Sequence, residues 1–141
     1  MVQTDKVLEF DKMKEKWIEL ALTEWAKEKI KDTVPSMSEN ELIARQRETS
    51  EARELLEKSG NPPLVSLSGI RECIQKAAKG DCLSISQLED MEKSLVAVMR
   101  LKNYLSRCKQ WEISLAYYDE KLDCLDNLKE TIRMQIRNGR I

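Results

Sequence analysis

Apolar side chains recur along this chain at steps of three and four residues, the spacing of one face of an α-helix. From Asp5 the pattern predicts one helix, then a second that Thr23 caps, and Val34-Pro35 ends it. We expect core packing, including both tryptophans, for the residues of this face: Phe10, Met13, Trp17, Leu20, Ala21, Trp25, Ala26 and Ile30.

Two capping boxes predict where two further helices begin. Ser38 and Glu41 have the required spacing, and Ser84 and Gln87 repeat it. The helix from Ser38 should end at Gly60 in the left-handed conformation, with these residues inward: Leu42, Thr49, Ala52, Leu55 and Leu56. The helix from Ser84 should be the longest, with these residues inward: Leu88, Met91, Leu95, Val98 and Leu105.

Two successive prolines interrupt the helical pattern within Gly60-Asn61-Pro62-Pro63-Leu64. They remove two amide donors and fix two φ angles, so no helix runs through this point. We therefore expect a stiff extended connector formed by Gly60, Asn61, Pro62 and Pro63. A short helix should follow and end at Gly80, with these residues on its apolar face: Ile70, Cys73, Ile74 and Ala77.

The last third of the chain has a weaker pattern. After Arg107 the candidate core contacts are Trp111, Leu115 and Tyr118, before the helical spacing recovers in Leu122, Leu125, Leu128, Ile132 and Ile136. A chain of 141 residues with 41% apolar and 35% charged side chains and only four glycines fits one helical domain. The prediction is an all-α, single-domain bundle of six to seven helices over residues 1–141.

Charge and cysteine content exclude several kinds of site. The net charge of −1 provides no overall field for nucleic acid or membranes, so any such binding must be local. There is no histidine, and the four cysteines form no C-x-x-C pair, so we expect reduced, partly buried thiols and no metal. Without a signal core or a membrane-length apolar run, we expect a cytoplasmic protein with no membrane partner.

Catalysis by this chain is not expected. A histidine base is absent, and neither G-x-x-x-x-G-K-[S/T] nor G-x-G-x-x-G occurs, so no cofactor site is predicted. Carboxylate pairs such as Glu51 with Glu54 and Asp119 with Glu120 fit solvated helix faces at this charge density. We predict that the chain is not an enzyme.

A basic strip is the candidate binding site. Residues 93 to 109 contain no acidic side chain and five basic ones: Lys93, Arg100, Lys102, Arg107 and Lys109. Lys93, Arg100 and Arg107 recur every seven residues and therefore project from about the same side of the long helix. The strip can either solubilise the helix and pair with nearby acids or contact nucleic-acid phosphates.

The aromatic segment from Trp111 to Tyr118 leaves a second alternative open. Its three large rings fall where the periodicity fades, and they could form a surface that another protein covers. This would make the chain a free-standing helical protein–protein interaction module.

Several motifs, in their order along the chain, resemble the N-terminal region of MutS-family proteins. They are Val7-Leu8-Glu9-Phe10-Asp11-Lys12, Glu48-Thr49-Ser50-Glu51-Ala52, Gly60-Asn61-Pro62-Pro63-Leu64, Gly69-Ile70-Arg71 and Gly80-Asp81-Cys82-Leu83-Ser84. The order and spacing are most similar to the bacterial Smr-bearing branch, MutS type II, and residues 128–139 resemble the helix leading toward the lever arms.

The resemblance implies a helical core domain of an ATP-driven, DNA-binding dimer. Family members are linked to DNA mismatch repair, recombination control or branched DNA, and some of the Smr-bearing branch to stalled ribosomes. Their ATPase and nuclease motifs have no match here, so ATP and magnesium are expected only for a full-length relative. The implied partners are DNA, the remaining domains of such a protein and a second copy of it, and we expect this chain to be a fragment.

One departure from the family concerns the turn near Thr23. Where the family usually has glycine in a T-x-x-G-K run, this chain has Thr23-Glu24-Trp25-Ala26-Lys27. Alanine disfavours a positive φ, so we expect the two helical elements there to be fused.

Overall fold

The computed structural model describes residues 9–35 and 38–138. In these ranges six α-helices occur: α1 (Phe10–Leu20), α2 (Glu24–Lys31), α3 (Glu39–Ser59), α4 (Ile70–Ala78), α5 (Ile85–Cys108) and α6 (Asp126–Asn138). Two 3₁₀ helices, Lys109–Trp111 and Ser114–Lys121, lie between α5 and α6. The described ranges contain no strand beyond one isolated bridge, so the all-α prediction is confirmed. The predicted helix start at Asp5 and the motif residues Val7, Leu8 and Gly139 lie outside them.

The chain divides into two compact units. The first unit is Met1–Arg47 with Ser66–Ser68, and the second unit is Glu48–Val65 with Gly69–Ile141. The single domain over residues 1–141 stays a prediction.

In the first unit, α1 and α2 are separate helices that pack on each other. Thr23 lies between them in extended conformation, with φ −124° and ψ 149°, and its Oγ1 accepts a hydrogen bond of 3.1 Å from the amide of Ala26. The predicted cap is therefore confirmed, and the predicted fusion of the two elements is wrong. Extended backbone at an N-cap needs no positive φ, so the absence of glycine does not prevent the break.

The apolar face of the first unit is not buried. Neither α1 nor α2 has a buried residue, and Trp17 and Trp25 are 43% and 44% exposed. The predicted core packing of these tryptophans is therefore wrong. Two short helices cover only part of each other's apolar stripe, and the described residues of this unit add no third layer.

The second unit is built around α5, which contacts α4, α6 and both 3₁₀ helices. Ser84 and Gln87 form the predicted capping box, and α5 is the longest helix of the described chain. The core cluster of the second unit consists of Leu55, Tyr104, Leu105, Cys108, Ile113 and Ala116. Gly60 ends α3 with φ +72°, as predicted.

Two core predictions in the second unit fail for geometric reasons. On α3 only Leu55 is buried, while Leu56 is 45% exposed and Thr49 is exposed; in the first unit's part of α3, Leu42 is also exposed. Trp111 and Tyr118 are exposed too, and the buried residues of that segment are Ile113, Ala116 and Asp119. These three are spaced by three residues, the period of a 3₁₀ helix, so a search for α-helical spacing misses them.

All four cysteines are free, in line with the predicted reduced thiols. Cys73 and Cys108 are buried, Cys124 is half-buried and Cys82 is exposed.

Candidate nucleic-acid interface

Three of the five strip lysines and arginines are engaged with neighbours in the second unit. Lys93 Nζ lies 3.1 Å from Asp90 Oδ1 on the exposed side of α5. Lys102 is half-buried and donates a 2.8 Å hydrogen bond to the carbonyl of Leu122. The Lys102 side chain therefore holds the loop before α6 rather than facing solvent.

Lys109 fastens the second 3₁₀ helix to the end of α5. Its Nζ lies 2.8 Å from Oδ1 of the buried Asp119 and 3.1 Å from Glu120 Oε1. Among the described residues, this ion pair with Lys109 is the polar contact that compensates the buried Oδ1 of Asp119. The contacts with Asp119 and then Glu120 raise the pKa of Lys109 above its ordinary value.

Arg100 and Arg107 are different from the three lysines. Both are exposed, and no carboxylate of the described residues lies within ion-pair distance of either guanidinium group. They line an open groove together with Asn103, Ser106 and Pro63. Four of these side chains come from α5, and Pro63 brings the connector to the same place.

The connector is attached to α5 by Tyr104. The buried Tyr104 hydroxyl lies 2.6 Å from the Gly60 carbonyl oxygen and 3.5 Å from that of Leu55, so it donates mainly to Gly60. Burial, followed by the proximity of Cys108, raises the pKa of Tyr104, so this hydroxyl stays a donor at neutral pH. Pro63 lies three residues beyond Gly60, so this contact fixes one wall of the groove.

The contact by which Glu51 attaches the second 3₁₀ helix to α3 was not predicted from the sequence. The Glu51 carboxylate accepts hydrogen bonds from the Ser114 hydroxyl and, at 2.9 Å, from the Leu115 amide, both at the start of the second 3₁₀ helix. The sequence prediction treated Glu51 as part of a solvated face. A carboxylate cap supplied from 64 residues away leaves no local spacing to detect.

The three exposed rings of the aromatic segment each lie near a lysine. Lys58 Nζ is 5.2 Å from the Trp111 ring, whose Nε1 donates to Ser59 Oγ at 3.0 Å. Lys109 lies 5.0 Å from Tyr117, and Lys121 lies 4.5 Å from Tyr118. Cation–π contacts of this kind partly cover the rings and hold them in place.

Comparison with known proteins relates the sequence of this chain to a family. The chain is 40% identical to "Endonuclease MutS2" of Clostridium beijerinckii over 102 residues, and these matched residues are 72% of the chain. It is 36% identical over 107 residues to the Clostridium perfringens protein of that name, and 34% over 129 residues, 89% of the chain, to that of a Geobacillus species. The chain is homologous to a segment of MutS2.

The chain spans a small part of the MutS2 proteins that it matches. It covers 13% of the length of the C. beijerinckii protein, 14% of the C. perfringens protein and 16% of the Geobacillus protein. No family model and no solved structure matches the chain. The matched share is consistent with a fragment of a MutS-like protein.

The described residues contain neither a metal-ligand cluster nor a helix suited to a membrane. No group of cysteine and carboxylate side chains in residues 9–35 and 38–138 is arranged to hold a metal ion. Within the same ranges, no helix is both long and apolar enough for a transmembrane span.

Proposed function

We propose that the chain is a non-catalytic helical core segment of a MutS-like, DNA-binding ATPase that acts in DNA repair or recombination control. In this role it couples DNA-clasping arms to an ATPase outside this chain, in the cytoplasm. ATP and magnesium belong to the rest of such a protein, which would act as a homodimer on DNA.

The observation that carries this proposal is the set of long-range polar contacts in the second unit. The Tyr104 hydroxyl donates a hydrogen bond to the Gly60 carbonyl, and the Leu115 amide donates one to the Glu51 carboxylate. Arg133 Nε donates one to Glu92 Oε1 at 2.8 Å. These hydrogen bonds join positions that are 41 to 64 residues apart. The contact with Glu92, followed by the charge of Glu130, raises the pKa of Arg133. A segment transmits motion only if its helices move together, and these contacts favour such behaviour.

A chimera of the C. beijerinckii relative tests the coupling. This chain replaces the matching segment of that protein, and ATP turnover is measured with and without DNA. We expect the chimera to respond to DNA, and we expect Glu51→Ala to reduce that response while turnover without DNA is kept.

Glu57→Ala is the matched control, because within the described residues Glu57 forms an ion pair with Arg53 on the exposed surface of the same helix. If Glu51→Ala and Glu57→Ala leave the DNA response equally intact, the second unit does not couple the two activities. ATP turnover by this chain alone would also contradict the proposal.

A second candidate function is a free-standing helical interaction module, and the first unit favours it. Met13, Trp17, Leu20 and Trp25 are 43% to 78% exposed, which is typical of a surface that binds another protein. A chimera without any DNA response, together with specific binding of this chain to a defined protein partner, would favour this function over coupling.

A further inference from the structure

We propose that the groove formed by Pro63 and α5 binds the phosphodiester backbone of one nucleic-acid strand. This inference deepens the proposed function and rests on it, since it specifies where the segment contacts nucleic acid. It narrows the five-residue strip to two arginines and adds three residues that the strip did not include: Pro63, Asn103 and Ser106.

The groove has a surplus of hydrogen-bond donors and positive charge. Arg100 and Arg107 contribute planar guanidinium groups, which suit phosphate oxygens, and the Asn103 amide and Ser106 hydroxyl can also donate. The groove lining includes no acidic residue. Two unpaired cations beside two neutral donors favour a ligand that presents several anionic acceptors.

The spacing of the arginines fits a linear ligand. They are seven residues apart on α5, which is about 10.5 Å along the helix axis, and Asn103 lies between them. A strand whose phosphates repeat along its length can contact both, while Pro63 offers an apolar surface to sugars.

The shape of the groove favours a flexible ligand. The groove is open to solvent and has a volume of about 550 Å³. A single strand can bend to bring successive phosphates to both arginines, whereas a double helix is stiff over this length.

The Tyr104 hydrogen bond preorganises the groove for binding. By bonding Gly60, Tyr104 fixes the wall that carries Pro63 against the helix that carries both arginines. On the protein side, binding therefore has to order only long surface side chains, which reduces the entropic cost of the protein.

The test is binding of a fluorescently labelled oligothymidylate to the full chain, followed by anisotropy between about 50 and 200 mM salt. For Arg100→Gln with Arg107→Gln we expect at least about tenfold weaker binding at the lowest salt. The slope of log affinity against log salt should fall by about 1.4, since each single-strand phosphate contact contributes about 0.7.

Lys79→Gln with Arg137→Gln is the matched control, because it removes the same charge from exposed positions outside the groove. We expect less than about a twofold change for this pair. Tyr104→Phe keeps both arginines but loosens the Pro63 wall, so it should weaken binding a few-fold with an unchanged salt slope. Circular dichroism verifies that each variant is folded.

Several results would overturn the inference. The first is that the wild-type chain does not bind the oligothymidylate at the lowest salt. The second is that the groove pair and the control pair of substitutions weaken binding equally. The third is that a duplex binds as tightly as the single strand. Polyglutamate that competes equally well per charge would assign the groove to an acidic peptide instead. A chimera without DNA-dependent ATP turnover, together with groove-dependent strand binding, would reject the coupling function and retain this site.

Discussion

The two units contain the same kind of amphipathic helix but differ in what their apolar side chains contact. In the first unit, Met13 is 51% exposed and Leu20 is 78% exposed. In the second unit, Ala116 is fully buried and Cys108 is 1% exposed. The difference shows that helical spacing determines where a helix forms, whereas burial requires further elements to pack over its apolar face.

Two polar contacts between residues far apart in the sequence can be compared in each unit. In the first unit, Lys14 Nζ reaches the Lys31 carbonyl at 3.4 Å and the Leu67 amide reaches Leu22 at 3.3 Å. Both distances are long for hydrogen bonds. In the second unit the Tyr104–Gly60 and Glu51–Leu115 contacts are 2.6 and 2.9 Å. We therefore expect the second unit to be the more stable one.

The largest expected effect comes from two adjacent leucines at the end of α3. Leu55 is 3% exposed and belongs to the core cluster, whereas Leu56 is 45% exposed. Leu55→Ala should lower the free energy of unfolding of the second unit by about 2–5 kcal/mol, because it leaves a cavity. Leu56→Ala should change it by no more than about 0.5 kcal/mol.

Tryptophan fluorescence can follow the two units separately during urea unfolding. Trp17 and Trp25 lie in the first unit and Trp111 in the second, so Trp17→Phe with Trp25→Phe leaves a reporter of the second unit alone. Equal effects of Leu55→Ala and Leu56→Ala on the Trp111 signal would contradict the core described for the second unit.

The next effect concerns Glu51. Glu51→Ala leaves the Leu115 amide and the Ser114 hydroxyl without their carboxylate, which should cost the second unit about 1.5–3 kcal/mol. Glu57→Ala removes an exposed ion pair with Arg53 and should cost about 0.5 kcal/mol or less. A double-mutant cycle of Glu51→Ala with Ser114→Ala isolates their interaction, and a coupling energy near zero would contradict it.

Local signals predicted the helices well. Ser84 with Gln87, Ser38 with Glu41, and Thr23 all cap helices as their spacing indicates, and Gly60 ends α3. Each of these signals depends on hydrogen bonds within four residues, so one stretch of sequence contains the whole interaction. The burial of the Leu56 and Trp17 side chains was predicted wrongly, because burial depends on elements far away along the chain.

The candidate site was only partly predictable for the same reason. The basic composition of residues 93–109 pointed to Arg100 and Arg107 together with Lys102 and Lys109, and it could not distinguish the two arginines from the two lysines. That distinction depends on Leu122, Asp119 and Glu120, which the chain brings back to α5 after the 3₁₀ helices. Pro63 was predicted to stiffen a connector, and its place beside Arg100 in the groove follows from the Tyr104 contact with Gly60.

Tyr104→Phe should have a smaller effect that depends on pH. Loss of the hydroxyl leaves the Gly60 carbonyl without this donor, and we expect a cost of about 1–1.5 kcal/mol to the second unit at neutral pH. Burial raises the folded-state pKa of Tyr104 above its ordinary value of 10, so its contribution is complete below pH 10 and is lost as pH rises through the folded pKa. Urea midpoints of wild type and variant should therefore converge in alkali. A difference that grows above pH 10 would contradict this sign.

The smallest expected effect comes from removing one helix cap in each unit. Thr23→Ala removes the cap of α2 in the first unit, and Ser84→Ala removes half of the capping box of α5 in the second. Each loss should cost about 1 kcal/mol locally. If the first unit unfolds independently, Ser84→Ala lowers the urea midpoint of the Trp111 signal and Thr23→Ala leaves it unchanged. An equal shift of the Trp111 signal in both variants would mean that the two units unfold as one, because a cap in α2 affects Trp111 only through a shared transition.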